Sequence, residues 1–139
     1  MNLQDKELRV KKLWRRLNER LLVVEGKNDV AALREVGVYS TIVTAVGKPE
    51  RIIRKAIAEA GKLKISLLFD YDREGRRKTL FFHEMFFHED CNADMQLHKE
   101  LRNLFPIITI EELPNAYFDL METIALHKKV RKENRLFPN

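Results

Sequence analysis

Short apolar runs alternate with helix-like segments along this chain, and the alternation constrains the fold more than any other feature. Buried strands are predicted for three short apolar runs: "LLVVE" (21–25), "TIVTA" (41–45) and "ISLLFD" (65–70). Helices are predicted after them from apolar residues at helical spacing: 28–37, 48–61 and 74–89. This order predicts βαβ crossovers and a parallel sheet with helices on both faces.

The remaining segments extend the same pattern. Alternation in "ADMQL" predicts a short strand at 93–97, and "IITI" predicts another at 107–110. Further helices are expected at three places: 4–19, 98–104 and 115–130. The predicted fold class is therefore α/β, with a central, mostly parallel sheet of about four strands flanked by helices.

Carboxylates follow two of the predicted strands directly. Glu25 ends the first strand and Asp70 ends the third, with Asp72 and Glu74 just behind it. Parallel sheets bind ligands beyond the carboxyl ends of their strands, so these acids should share one edge. Since side chains alternate along an extended chain, Asp70 and Asp72 should face one way and Tyr71 the other. Crowded carboxylates repel each other unless a cation neutralises them, and ligands that are all oxygen suit Mg²⁺.

Two motifs carry a resemblance to a known family. "VVEGKNDVAAL" followed by "LLFDYDREG" is similar to the signature of the Toprim domain. That domain is shared by type IA and II topoisomerases, bacterial-type primases and small nucleases that mature ribosomal RNA. Its pattern pairs a strand ending in Glu-Gly with a strand ending in Asp-x-Asp. A glycine follows the strand between them, here Gly47.

The resemblance implies a fold and a domain layout. It covers residues 21–90 and extends more loosely to 113, so a Toprim-type, Rossmann-like domain is expected over 21–113. A basic N-terminal helix (1–20) precedes it and a C-terminal helix with a basic tail (114–139) follows it. We expect all three parts to form one globular unit.

The resemblance also implies roles for the motif residues. Glu25, Asp70 and Asp72 are expected to be catalytic and to bind Mg²⁺ (or Mn²⁺), with Glu25 as general acid/base or as a group that positions the metal. Glu74 would be an auxiliary metal ligand. Asp29 would cap a helix or orient the groups that hold the metal.

The net charge of +5 is unevenly spread along the chain. Residues 1–20 hold seven Lys or Arg against three acids, and 127–139 hold five against one. Basic patches are typical of nucleic-acid-binding proteins, while charged termini also serve solubility alone. We expect nucleic acid, RNA or DNA, as the partner. Phosphate contacts are predicted for the following residues: Gly26, Lys27, Arg73 and, on the N-terminal helix, Lys12, Arg15 and Arg16.

Composition excludes several classes of protein. Cys91 is the single cysteine, so an internal disulfide is excluded and a reducing, cytoplasmic location is expected. No apolar run approaches the roughly 20 residues of a membrane helix, so no membrane partner is expected. The four phenylalanines of 74–89 should lie in the core, but an exposed pair would favour a homodimer or a larger complex.

Two other interpretations of the polar residues are weaker. Zinc would need ligand spacings that the histidines and Cys91 do not have. A phosphatase with an aspartate nucleophile in D-x-D-x-T form would not carry Arg73 at the fourth position.

The predicted function is Mg²⁺-dependent phosphodiester chemistry on nucleic acid, most simply nuclease-type hydrolysis. The alternative is a non-catalytic, metal-dependent nucleic-acid-binding module of an RNA-processing, replication or repair assembly. Primase-like and topoisomerase-like chemistry follows only from the resemblance, because the domains that complete those enzymes do not match this chain.

Overall fold

Three parallel strands form the central sheet in the computed structural model, which describes residues 1–136. The strands are β1 (Leu21–Val24), β2 (Ile42–Thr44) and β3 (Ile65–Leu67), and their order is β2-β1-β3. Val23 of β1 lies opposite Val43 on one side and Leu67 on the other. The predicted α/β fold with a parallel sheet is confirmed.

Helices cover both faces of the sheet. Their bounds are α1 (Leu3–Asn18), α2 (Lys27–Glu35), α3 (Pro49–Ala60), α4 (Arg73–His88), α5 (Gln96–Leu104) and α6 (Leu113–Leu136), with a 3-10 turn at Ile110–Glu112. Leu22 and Val24 pack against α1, α2, α5 and α6, whereas Leu21 and Val23 pack against α3 and α4. The central strand is therefore buried on both faces, which explains why its sequence is apolar throughout.

The two further predicted strands are wrong within residues 1–136. In 93–97, Asp94 makes a single parallel bridge to Ser66, and its side chain then accepts a hydrogen bond from the amide of Gln96, where α5 begins. In 107–110, the Glu112 carboxylate accepts hydrogen bonds from the amides of Ile108 and Thr109. At 93–97, strand pairing is therefore limited to Asp94, whose backbone exchanges hydrogen bonds with Ile65 and Leu67 before α5 begins. At 107–110, the side chain of Glu112 accepts the amide hydrogen bonds that a neighbouring strand would otherwise accept.

The phenylalanines of α4 are divided between core and surface. Phe82 and Phe86 are buried, whereas Phe81 is 46% exposed and Phe87 is 66% exposed. The expected core role is thus confirmed for one pair only. The dimer that an exposed pair would favour stays a prediction.

None of the helices within residues 1–136 combines the length and the apolar character that crossing a membrane requires.

Candidate functional site

The β1–α2 junction holds Glu25, Gly26 and Asp29 at the carboxyl edge of the sheet. Glu25 follows β1 directly, and Gly26 is the residue before the first turn of α2. The amide of Gly26 donates a hydrogen bond of 3.0 Å to the Asp29 carboxylate, which is buried. A Cβ on Gly26 would meet no atom within 4 Å, so open space lies above this backbone. Lys27 is exposed beside it as the first residue of α2.

The β3–α4 junction is a turn rather than a strand end. Because β3 stops at Leu67, Asp70 and Asp72 do not lie on the extended strand that side-chain alternation would need. The Asp70 Oδ1 accepts a hydrogen bond of 2.9 Å from the amide of Ile110. The Asp72 Oδ1 accepts one of 2.7 Å from the amide of Gly75 and so caps α4. Tyr71 between them is buried in the core.

Gly75 allows this turn to close. A Cβ at this position would lie 2.0 Å from the carbonyl oxygen of Asp70 and 2.5 Å from its carbonyl carbon. Both are backbone atoms, so a side chain here cannot be accommodated by a rotamer change. The start of α4 therefore packs directly on the backbone of Asp70.

The two junctions face each other, since Lys78 of α4 lies 3.9 Å from the Glu25 carboxylate after β1. Burial raises the pKa of Glu25, and the nearby charge of Asp70 raises it further. Burial also raises the pKa of Asp70, against the hydrogen bond from Ile110, and the charge of Asp72 adds to this rise. Burial raises the pKa of Asp29 in the same way, in spite of its hydrogen bond from Gly26. These acids, distant in sequence, thus lie at one edge and repel each other.

Two residues at this edge were missed by the sequence analysis. The Lys78 ammonium lies 3.9 Å from the Glu25 carboxylate, and the charge of Glu111 raises the pKa of Asp70. Lys78 was predictable, since it follows Glu74 by four residues on a predicted helix and shares its face. Glu111 had no such signal, because it is brought to the site by tertiary hydrogen bonds, from the Ile110 amide to Asp70 and from the Tyr71 amide to the carbonyl of Ile108.

The other predicted site residues of α4 are accessible. Arg73 and Glu74 lie in the first turn, and both side chains are exposed. Within residues 1–136, no three His, Cys, Asp or Glu side chains are close enough together to hold one metal ion. Asp70 with Asp72, or Asp70 with Glu25, are the pairs that could contribute oxygen ligands.

The basic residues of α1 lie elsewhere. Arg16 binds the Glu100 carboxylate through two hydrogen bonds of 2.7 and 2.9 Å, so its charge is already paired. Lys12 and Arg15 are exposed and have no ion-pair partner within residues 1–136. Because α1 ends just before the first residue of β1, Arg15 and Arg16 lie toward the amino edge of the sheet, opposite Asp70. Their role as phosphate contacts stays a prediction.

Comparisons with known proteins found similarities over most of the chain. A family model of the Toprim domain matches residues 20–102. A UPF0292 protein from Methanocaldococcus jannaschii is 29% identical over 83 residues, which are 60% of this chain and 65% of that protein. A UPF0292 protein from Thermococcus onnurineus is 31% identical over 114 residues, or 78% of this chain and 82% of that one. The solved structure of a protein from Aquifex aeolicus matches with a TM-score of 0.63 and 28% identity, covering 76% of this chain and 95% of that one.

Proposed function

The chain belongs to the Toprim domain family, and from this premise we propose that it carries out Mg²⁺-dependent phosphodiester hydrolysis on nucleic acid. Family membership implies metal-dependent chemistry on nucleic acid in general. The choice of hydrolysis, rather than a primase-like or topoisomerase-like reaction, is the proposal. It is the simplest reaction that such a site could perform without a further domain.

One observation carries the proposal: the carboxylates of Glu25 and Asp70 repel each other at one edge of the sheet. Burial raises the pKa of both groups; the charge of Asp70 raises that of Glu25 further, and the charge of Asp72 raises that of Asp70 further. Repulsion between carboxylates costs the folded state stability, and a bound cation would relieve it.

The residues present suit Mg²⁺ in kind and in number. Every candidate ligand is a carboxylate oxygen, and Mg²⁺ is typically held by one or two carboxylates while waters and phosphate oxygens complete its shell. Asp70 and Asp72 would hold the ion, with Glu74 exposed nearby as an auxiliary ligand. Each aspartate gives one oxygen to an amide hydrogen bond and keeps its second oxygen for this purpose. When bound, the metal would neutralise phosphate charge and make a water more acidic.

The remaining residues would bind the phosphate and move the proton. Glu25 would take or give a proton at its carboxylate, and its raised pKa brings it nearer to the pH at which it must work. Lys78, at 3.9 Å, would stabilise the ionised form of Glu25. The open space above Gly26 would admit a phosphate oxygen close to the backbone, and the exposed Lys27 would meet its charge.

A specific observation favours a second function, metal-dependent binding without turnover. Lys78 already pairs with the acid that would serve as general base, and within residues 1–136 no three ligating side chains are gathered. A module that only holds nucleic acid through Mg²⁺ would need neither a free Glu25 nor a complete ligand set.

The two functions are separated by incubation with labelled single- and double-stranded RNA and DNA in Mg²⁺, Mn²⁺ or EDTA. Hydrolysis predicts products only with metal, and Glu25→Gln should slow their formation by about 100-fold or more. Asp70→Asn should abolish the metal-dependent formation of products. The control Asp119→Asn makes the same chemical change on the exposed face of α6 and should leave product formation unchanged. Metal-dependent binding without product would select the binding module, and the absence of both would overturn the proposal.

A further inference from the structure

A cavity opens beside the β3–α4 junction, next to the acidic edge. It has a volume of about 550 Å³ and lies between α4 and α5. These helices belong to opposite faces of the sheet, and β3 is its edge strand, so within residues 1–136 no strand fills the gap between them. Tyr71 lines the cavity and stands between Asp70 and Asp72 in the chain. The cavity therefore shares the β3–α4 junction with the proposed metal ligands, although neither aspartate lines it.

Cations line this cavity without any acid to balance them. Arg76 of α4 and Lys99 and Arg102 of α5 contribute to its walls, and the lining residues within 1–136 include no Asp or Glu. In the same part of the chain, none of the three cations forms an ion pair. An anion could therefore bind here without breaking an existing pair, and Arg76 and Arg102 could each bind phosphate oxygens through two N–H groups.

The inner wall is apolar and held in place by hydrogen bonds. The Tyr71 hydroxyl donates to the carbonyl of His98 at 2.6 Å, and the His98 Nε2 donates to the carbonyl of Phe69 at 2.8 Å. The two rings stack with their centroids 4.0 Å apart at an angle of 15°. Leu80, which is 64% exposed, adds an apolar surface on the α4 side. The Arg102 guanidinium lies over the Tyr71 ring, with its central carbon 5.1 Å from the ring centroid. Tyr71 and His98 are buried, so the apolar surface left for a flat group is that of Leu80 and Met95.

We propose that this cavity holds one unpaired nucleotide of a nucleic-acid strand, with its base against the apolar wall and its phosphate on Arg76, Lys99 and Arg102. The inference rests on the proposed nucleic-acid function and names where the strand lies beside the metal ligands. The volume falls in the range of about 300–1,000 Å³ that small-ligand pockets occupy. A paired base cannot enter, because it is held inside the duplex stack. The pocket therefore selects single strands, loops or unpaired overhanging ends.

The test measures binding in EDTA, so that it does not depend on metal or on turnover. Labelled oligo(U) and oligo(dT) are titrated against wild type, the site variant Arg76→Gln/Lys99→Gln and the control Arg54→Gln/Lys62→Gln. The control removes the same two charge types from exposed positions outside the cavity. A blunt duplex of the same length is titrated in parallel.

The site variant should bind both single strands at least tenfold more weakly, while the control stays within twofold of wild type. The slope of log K against log salt should flatten by about 0.7 for each phosphate that the variant no longer neutralises. The affinity for the duplex should stay within about twofold of wild type in both variants. The proposal would be overturned if the site variant and the control lost the same affinity for single strands. It would also be overturned if the site variant lost the same affinity for single strand and duplex. Because every titration is done in EDTA, a failure of the metal chemistry would leave this result intact.

Discussion

The β1–α2 and β3–α4 junctions look alike in sequence but use their glycines for different purposes. Each is a strand-to-helix turn at the same edge, and each contains a glycine near an aspartate. At the first junction, a Cβ on Gly26 would meet no atom within 4 Å. At the second, a Cβ on Gly75 would lie 2.0 Å from the carbonyl oxygen of Asp70.

The different surroundings of the two glycines distinguish a glycine that packing requires from one that a bound ligand would require. Gly75 is required by the packing of α4 on the backbone of Asp70, so its absence of a side chain has a structural cause. Gly26 has an extended backbone with φ −156° that other residues adopt, and no protein atom crowds it. Any steric cost of a side chain at Gly26 must therefore come from something that binds there, apart from the modest preference for glycine over alanine at a helix N-cap.

Gly75→Ala should destabilise the protein by about 3 kcal/mol, the upper end of the usual range for overpacking, because the clash is with backbone. Chemical denaturation followed by far-UV circular dichroism measures the loss. A variant as stable as wild type would mean that the start of α4 can move away from Asp70, and the contrast with Gly26 would disappear.

Saturating Mg²⁺ should stabilise the wild type by about 2.7 kcal/mol at a hundredfold excess over Kd. Asp70→Asn/Asp72→Asn should lose this response, because the proposed ligands are gone. Without metal, the double variant should be at least as stable as wild type, since asparagine keeps both hydrogen bonds to Ile110 and Gly75 and removes the repulsion. Thermal melts with and without EDTA test both statements, and an unchanged metal response would place the site elsewhere.

Asp72→Ala should cost about 1 kcal/mol, because the amide of Gly75 loses its capping partner. Asp72→Asn is the matched control and should be close to neutral in the absence of metal, since its side-chain oxygen still caps α4. If alanine and asparagine behave alike, the cap contributes nothing measurable and the second junction is fixed by packing alone.

A smaller effect is expected in the dependence of stability on pH. Burial lowers the pKa of His98, which anchors Tyr71 in the second junction. The stability that the neutral ring contributes is present above its unfolded pKa of about 6.5 and is lost as the pH falls toward the lowered folded value. Between about pH 7.5 and 5.5 the wild type should therefore lose more stability than His98→Gln, which cannot titrate. Parallel pH slopes would contradict a buried neutral His98.

Gly26→Ala should destabilise by no more than about 0.5–1 kcal/mol, the cost of alanine at a helix N-cap, because its Cβ meets no protein atom. The same variant should bind nucleic acid more weakly in Mg²⁺, because its methyl group fills the space proposed for a phosphate oxygen. Melting and binding are measured on one preparation. Normal stability with normal binding would remove the proposed role of Gly26, and a large loss of stability would remove its difference from Gly75.

Much of the fold could be predicted from the sequence because the pattern is local. The runs that became β1, β2 and β3 are short and apolar, and the predicted helices 28–37, 48–61 and 74–89 correspond to α2, α3 and α4. The strands predicted at 93–97 and 107–110 could not be corrected from the sequence. Their outcome depends on how far the chain after Asp94 continues its pairing with β3, and on the bonds from the amides of Ile108 and Thr109 to Glu112, which the surrounding chain decides.

Some residues of the candidate site could likewise be predicted from the sequence, and others could not. The sequence alone was enough to place Glu25, Asp70 and Asp72 at one edge, because parallel strands bring their carboxyl ends together. Tertiary packing was needed to bring Glu111 to them and to pair Arg16 with Glu100 on α5. The cavity beside Tyr71 also exists only through that packing. These features arise from contacts between segments far apart in the chain, and such contacts leave no periodic or local pattern from which they could be predicted.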